Sequence, residues 1–197
     1  SAATDDGPAD TADTDGSAPS GATRGDVGGN DALRWGDGDR AVVLAHGAAF
    51  DAASWAGQAT LIAEAGFTVV AVEDIAPDAI GATVDALRDE GIEDVTLLGG
   101  SAGADGILRL AADRPDLPSA LILLSPNTVV EGLGTEPKLF VASEDEGVAD
   151  VSSELARTSP GPDNEAVLLP GSAHAQNIFD TDRKDEVEQL ILDRLSS

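Results

Sequence analysis

A serine set between glycines, Gly99-Gly100-Ser101-Ala102-Gly103, follows an apolar run at 95–98 and precedes a helix-like segment at 104–112. On a tight strand-to-helix turn a serine projects its hydroxyl away from the sheet, with the unpaired N–H groups of the new helix beside it. That is a position for a nucleophile. The glycines have a physical task, because such a turn strains the serine backbone and a Cβ two residues away would collide with neighbouring main chain. In a chain with 22 Gly the pattern also arises by chance, so its context must carry the argument. Serine is a weak nucleophile at neutral pH and needs a base, usually histidine, held in one tautomer by a carboxylate. The chain has two histidines: His174 lies past the last apolar run at 166–169, and His46 ends an early run in Ala45-His46-Gly47. Between Ser101 and His174, the run 139–141 leads into Glu144-Asp145-Glu146. Asp145 is the expected acid, with its two neighbours as competing carboxylates. Ser101, Asp145 and His174 in that order would perform acyl transfer.

Elements that could position these residues follow from hydrophobic periodicity. Short β-rich runs at 41–44, 68–72, 95–98, 120–124, 139–141 and 166–169 alternate with segments of helical spacing. Ile80, Val84 and Leu87 lie on one helical face stopped by Gly91; Val148, Val151 and Leu155 on another that ends before Pro160; Val187, Leu190, Ile191 and Leu195 on a last one. Such alternation predicts a mostly parallel sheet with helices on both faces, and function gathers at the carboxyl ends of its strands. Runs at 32–35 and 40–45 flank Gly36-Asp37-Gly38-Asp39, which reads as a hairpin. G-x-G-x-x-G is not met around Gly99, which argues against a dinucleotide site. Neither H-x-H nor H-x-x-x-H occurs, so no metal site and no cofactor are expected.

These residues resemble the α/β-hydrolase superfamily, in particular its small lid-free esterases, over about residues 31–195. The resemblance implies an α/β-hydrolase fold, a mostly parallel twisted sheet flanked by helices, without a cap domain. It makes Ser101 the nucleophile of the elbow, His174 the loop base and Asp145 the acid past its strand. His46-Gly47 matches the superfamily's His-Gly signature, with His46 holding the oxyanion loop. The backbone N–H groups of Ala48 and Ala102 would then form the oxyanion hole, and two aimed donors stabilise a tetrahedral oxyanion by several kcal/mol. Phe50, Trp55 and Phe179 fall close to these positions and are expected to wall the acyl site, or else to be plain core. The stretch 126–137 is only a dozen residues, too short for a cap, which predicts an open site for small or extended acyl esters. The expected partner is a small-molecule ester. A peptidase, amidase or thioesterase would share the same machinery, and a surface binding protein that kept the fold is a third reading.

Composition bounds the rest. The absence of cysteine excludes disulfides and thiol catalysis, and 37 acidic residues against 11 basic ones give a net charge of −26. That charge repels phosphate backbones, so nucleic acid is excluded as a partner. Residues 1–30, rich in Ala, Asp, Thr, Gly, Ser and Pro, read as a disordered acidic leader, with 31–197 as a single domain. Asp13-Thr14-Asp15-Gly16 hints at a calcium loop, but Thr11 and Ala22 stand where the first Asp and closing Glu belong. The leader resembles the spacer of exported haloarchaeal proteins, which implies an extracytoplasmic location, either secreted or tethered to a membrane through a segment outside this chain; a cytoplasmic location in a high-salt cell is the alternative reading. Residues 1–31 hold seven Asp and one Arg, a net −6, leaving −20 on the remainder. With only two lysines, Lys138 and Lys184, the surface resembles that of proteins from salt-loving archaea, whose repulsion salt screens. The melting temperature should therefore rise by several degrees from dilute buffer to molar KCl; a salt-independent Tm would contradict this reading.

Overall fold

Short runs of aliphatic and β-branched residues, mostly buried on both faces, build an eight-stranded sheet in the computed structural model, which describes residues 17–197. The strands are β1 (Thr23–Val27), β2 (Asn30–Trp35), β3 (Arg40–Ala45), β4 (Thr68–Val72), β5 (Asp94–Gly100), β6 (Ala120–Leu124), β7 (Lys138–Ser143) and β8 (Asn164–Leu169). Their order is β1-β2-β4-β3-β5-β6-β7-β8. β1 pairs antiparallel with β2 and β2 with β4, and every other pairing is parallel.

Five α-helices cover the two faces: α1 (Ala56–Glu64), α2 (Pro77–Asp89), α3 (Ala102–Asp113), α4 (Ala149–Thr158) and α5 (Lys184–Leu195). Alternation along each strand decides which face a side chain joins. In β3, Val43 and Ala45 pack with Ile80 and Leu87 of α2, Ile107 and Leu108 of α3 and Leu155 of α4. Val42 and Leu44 pack on the other face with Ile62 of α1 and with Val187, Ile191 and Leu195 of α5. The periodic apolar residues of the sequence are thus the helix faces that meet the sheet, as predicted. Residues 126–137 cross from β6 to β7 without helix or strand.

Two expectations at the amino-terminal end require correction. The leader does not extend to residue 30, because Thr23–Val27 forms β1 and pairs with β2 from Thr23↔Arg34 to Val27↔Asn30. The hairpin lies here, across Gly28 (φ 66°) and Gly29 (φ 83°), where two consecutive positive-φ residues make the tight turn suited to twisted strands. The Gly36-Asp37-Gly38-Asp39 link is not a hairpin, since β4 lies between β2 and β3. It crosses the start of β4, so close that a Cβ on Gly36 would meet Phe67 O and one on Gly38 would meet Gly66 O. Asn30 fixes β2 beside β4 by bonding both main-chain groups of Asp74, at 2.9 and 3.0 Å. The Asp13-Thr14-Asp15-Gly16 segment lies outside the described residues.

One buried pair opens β7. Lys138 is fully buried, and its Nζ donates to Gly134 O and Glu136 O, both at 2.7 Å, and to Pro160 O at 3.0 Å. Three acceptors satisfy three N–H groups, so the ammonium does not need the Glu136 carboxylate 3.8 Å away. Both oxygens of that carboxylate are buried without a hydrogen-bond partner. Burial pushes the Glu136 pKa above its ordinary 4.5, against a smaller opposing pull from Lys138, and burial lowers that of Lys138. A carboxyl with a raised folded-state pKa binds its proton more tightly when folded, so stability declines as pH rises from the ordinary value through the folded one. Glu136→Gln should melt close to wild type near about pH 4 and above it near about pH 8, a divergence that thermal denaturation across pH would reveal.

Candidate active site

Because β3 to β8 run parallel, their carboxyl ends share one edge of the sheet, and the loops leaving five of them meet there. β5 ends at Gly100, and Ser101 (φ 51°, ψ −116°) turns directly into α3. Positive φ is costly for a side chain with a Cβ and persists only where surroundings enforce it. They do so here: a Cβ on Gly99 would lie 2.7 Å from Ile107 and 2.8 Å from Ala104 N, and one on Gly103 would run into Ala45 O. Ser101 N–H donates to Leu124 O at 3.0 Å, pinning the elbow to the end of β6.

His174 lies between β8 and a short 3-10 helix (Ala175–Asp180). Its Nε2 is 2.8 Å from Ser101 Oγ, and its Nδ1 is 2.5 Å from Glu146 Oε2. The acid in contact is therefore Glu146 and not the expected Asp145. Past Ser143, Glu144 N–H and Asp145 N–H still pair with Leu169 O and Gly171 O, at 2.8 and 3.0 Å. Asp145 thus continues along the edge of β8 with its side chain exposed, and only at Glu146 does the chain fold back over the strand end. The Glu146 side chain is 4% exposed. Ser125 Oγ donates to its Oε1 at 2.6 Å and Ser143 N–H at 2.9 Å. Three donors, the imidazole included, compensate the burial of this charge.

The serines that receive Glu146 also hold the histidine. Ser125 Oγ accepts from Ala175 N–H at 2.8 Å, and Ser143 Oγ donates to Ala173 O at 2.6 Å. Ser125 is fully buried and adopts φ 46°, a second strained position on this edge. Neither serine belongs to the predicted site. Their signal was their place, each at the carboxyl end of a strand in a parallel sheet.

The loop after β3 carries Ala48, one of the two residues expected to supply oxyanion donors. Gly47 O accepts from Phe50 N–H at 3.0 Å and lies 2.8 Å from His46 Nδ1. In a trans peptide the following N–H points the opposite way, so these contacts aim Ala48 N–H away from them. Among the described residues neither Ala48 N–H nor Ala102 N–H, the latter in the first turn of α3, makes a hydrogen bond. His46 Nε2 is 2.9 Å from Glu73 O, so this imidazole holds the loop rather than meeting Ser101. Gln176 ties the same loop to the histidine segment: its Oε1 accepts from Gly47 N–H at 2.9 Å and its Nε2 donates to Ser54 Oγ at 2.8 Å.

Of the three aromatic residues expected to wall the site, Phe50 and Phe179 border a cleft of about 240 Å³ together with Ser54, Gln58, Gln176 and Lys184, a cleft whose lining includes neither Ser101 nor His174. Trp55 does not: it is fully buried in the core and meets Phe179 edge-on, with centroids 6.1 Å apart. Asn127, unanticipated from the sequence, places Nδ2 3.4 Å from Ser101 Oγ. Among the described residues no group of three or more His, Asp or Glu side chains could hold a metal ion, and no helix is long and apolar enough to cross a membrane.

The topology matches many solved structures. A predicted CIB-like hydrolase from Thermoplasma acidophilum superposes with a TM-score of 0.71 at 19% identity, over 88% of this chain and 96% of that one. This chain has the α/β-hydrolase fold. A monoacylglycerol lipase from Paleococcus ferrophilus gives 0.67 at 16% identity, over 83% and 97% of the two chains. Epoxide Hydrolase A from Mycobacterium thermoresistibile gives 0.70 at 16%, over 89% and 98%. No protein-family profile and no curated protein sequence matches the chain.

A hydrogen bond to a charged acceptor contributes about 1.5–3 kcal/mol, or roughly ten- to a hundredfold in rate if realised in the transition state. Ser125→Ala should therefore slow modification of Ser101 by a fluorophosphonate by at least about tenfold, measured as a second-order labelling rate.

Proposed function

We propose that this chain is a serine hydrolase that cleaves carboxylic esters through an acyl-enzyme. One observation carries the reading: Ser101 Oγ, the imidazole of His174 and the Glu146 carboxylate form an unbroken relay of 2.8 and 2.5 Å at the carboxyl edge of the sheet. Glu146 accepts a hydrogen bond from Nδ1–H, which holds the proton on Nδ1 and leaves the Nε2 lone pair facing the serine hydroxyl. As Oγ bonds to the substrate carbonyl carbon, Nε2 takes its proton, and Ala48 N–H and Ala102 N–H face the oxygen that gains negative charge. Collapse breaks the bond to the alkoxy oxygen, which leaves with the proton from Nε2. Water then repeats the sequence on the acyl-enzyme and releases a carboxylic acid.

The open edge suits small or extended substrates: the His174 side chain is 38% exposed, and residues 126–137 between β6 and β7 form neither helix nor strand. An amidase or thioesterase would use the same relay, and turnover of matched ester, amide and thioester substrates separates them. A binding protein that merely kept the fold has no use for a strained, glycine-flanked serine bonded to histidine.

A fluorophosphonate should label wild type and leave Ser101→Ala unmodified; equal labelling of the two would refute the assignment. Glu146→Gln should lower ester turnover on the order of a thousandfold by releasing the tautomer. Asp145→Asn, a surface change, should stay within about threefold, and the opposite ranking would return the acid to Asp145.

A further inference from the structure

We propose that Asn127 is a specificity-determining residue whose carboxamide hydrogen-bonds an oxygen acceptor carried by the substrate close to the scissile carbonyl. The favoured substrates are then small esters with an ether, hydroxyl or carbonyl oxygen on that flank, rather than plain alkyl esters. This inference rests on the ester-hydrolase reading of the same site and deepens it.

The position of the amide is fixed by Asp105, one turn into α3 from the nucleophile. Asp105 Oδ1 accepts from Asn127 N–H at 2.9 Å and from Thr128 Oγ1 at 3.2 Å, and Oδ2 accepts from Asn127 Nδ2 at 2.8 Å. A carboxylate only accepts, so it also determines which end of the carboxamide is the NH₂ group. One Nδ2 hydrogen goes to Asp105. The other faces Ser101 Oγ across 3.4 Å, longer than a well-formed hydrogen bond. That donor is oriented yet weakly engaged, and among the described residues Asn127 Oδ1 has no partner. The main-chain and Thr128 bonds already tie the loop to α3, so a tether alone does not require the side-chain amide to point at the nucleophile.

Strand order says what part of a substrate would meet it. β5 lies between β3 and β6. Ala48 follows β3, whereas Asn127 follows β6 on the opposite flank of Ser101. A carbonyl whose oxygen points toward Ala48 and Ala102 therefore places one of its two other substituents on the β6 side, beside Asn127. Alkyl there leaves the amide unpaired as water is displaced. An oxygen at that point accepts the waiting N–H, and polar sites discriminate strongly against analogues that leave their groups unpaired.

Two substrate pairs of equal heavy-atom count test this: p-nitrophenyl methoxyacetate against butyrate for the acyl side, and 2-methoxyethyl acetate against butyl acetate for the alcohol side. Intrinsic reactivity differs within each pair but cancels when the kcat/KM ratio of wild type is divided by that of Asn127→Leu. Asn127 is exposed, and Asn127→Ala serves as a second variant should the leucine protein fail to fold. In one of the pairs the wild-type ratio should exceed the variant's by roughly tenfold or more. Ratios unchanged in both pairs would overturn the proposal and leave Asn127 as a loop tether. Absence of turnover on all four esters by a wild-type protein that labels at Ser101 would overturn the ester reading, and this inference with it.

Discussion

Two hydroxyl groups at the ends of adjacent strands hold the main chain on either side of His174, and the geometry of the site depends on that hold. Ser143 takes Ala173 O and Ser125 takes Ala175 N–H. Both serines also bond Glu146, one through its hydroxyl and one through its main-chain N–H. Glu146 and His174 are therefore positioned by the same pair of anchors, one at the end of β7 and one just past the end of β6, in the interior of the sheet. A histidine on a surface loop gains a fixed location from strands that cannot move independently of the core.

The same segment reaches across to the other side of Ser101. Gln176, two residues on, accepts from Gly47 N–H and donates to Ser54. Residues 173–176 thus touch the ends of β6 and β7 on one flank and the loop after β3 on the other. Ser101 lies between, strained by its own turn and pinned to Leu124. The site is held by short hydrogen bonds to main-chain atoms, which on the proposed reading would cost little reorganisation as charge develops.

Much of this was legible in the chain because it follows from period and spacing. The alternating apolar runs gave the parallel sheet and its two helical layers, and Gly99, Ser101, Gly103 and His174 stood out because strand-to-helix turns and bases have few residue types to choose from. What spacing could not resolve was direction. Asp145 and Glu146 are neighbours in sequence, and which one turns inward is decided by how far β7 stays paired to Gly171, a non-local fact. The Gly36-Asp37-Gly38-Asp39 link misled for the same reason, since a hairpin and a crossover over β4 use the same turn residues. Trp55 fell near the site by position, yet its large apolar ring gains more from full burial in the core. Ser125, Asn127 and Gln176 carry no motif at all; only the fold brings them to the edge.

The few cations of this acidic chain are largely engaged: Arg34 by Glu90, Arg40 by Asp94, Arg114 by Asp85, Arg194 by Asp163 and Glu165, Lys184 by Glu188. Asp105, one turn from Ser101, is met among the described residues by the neutral donors of Asn127 and Thr128. On the proposed ester-hydrolase reading, a carboxylate without a paired cation at that point would discriminate in time rather than in shape. A neutral ester would approach without electrostatic penalty, whereas the acid released from it would ionise within range of a like charge. Expulsion would thereby be favoured over recapture, and dissolved ions would blunt the asymmetry by shielding one anion from the other.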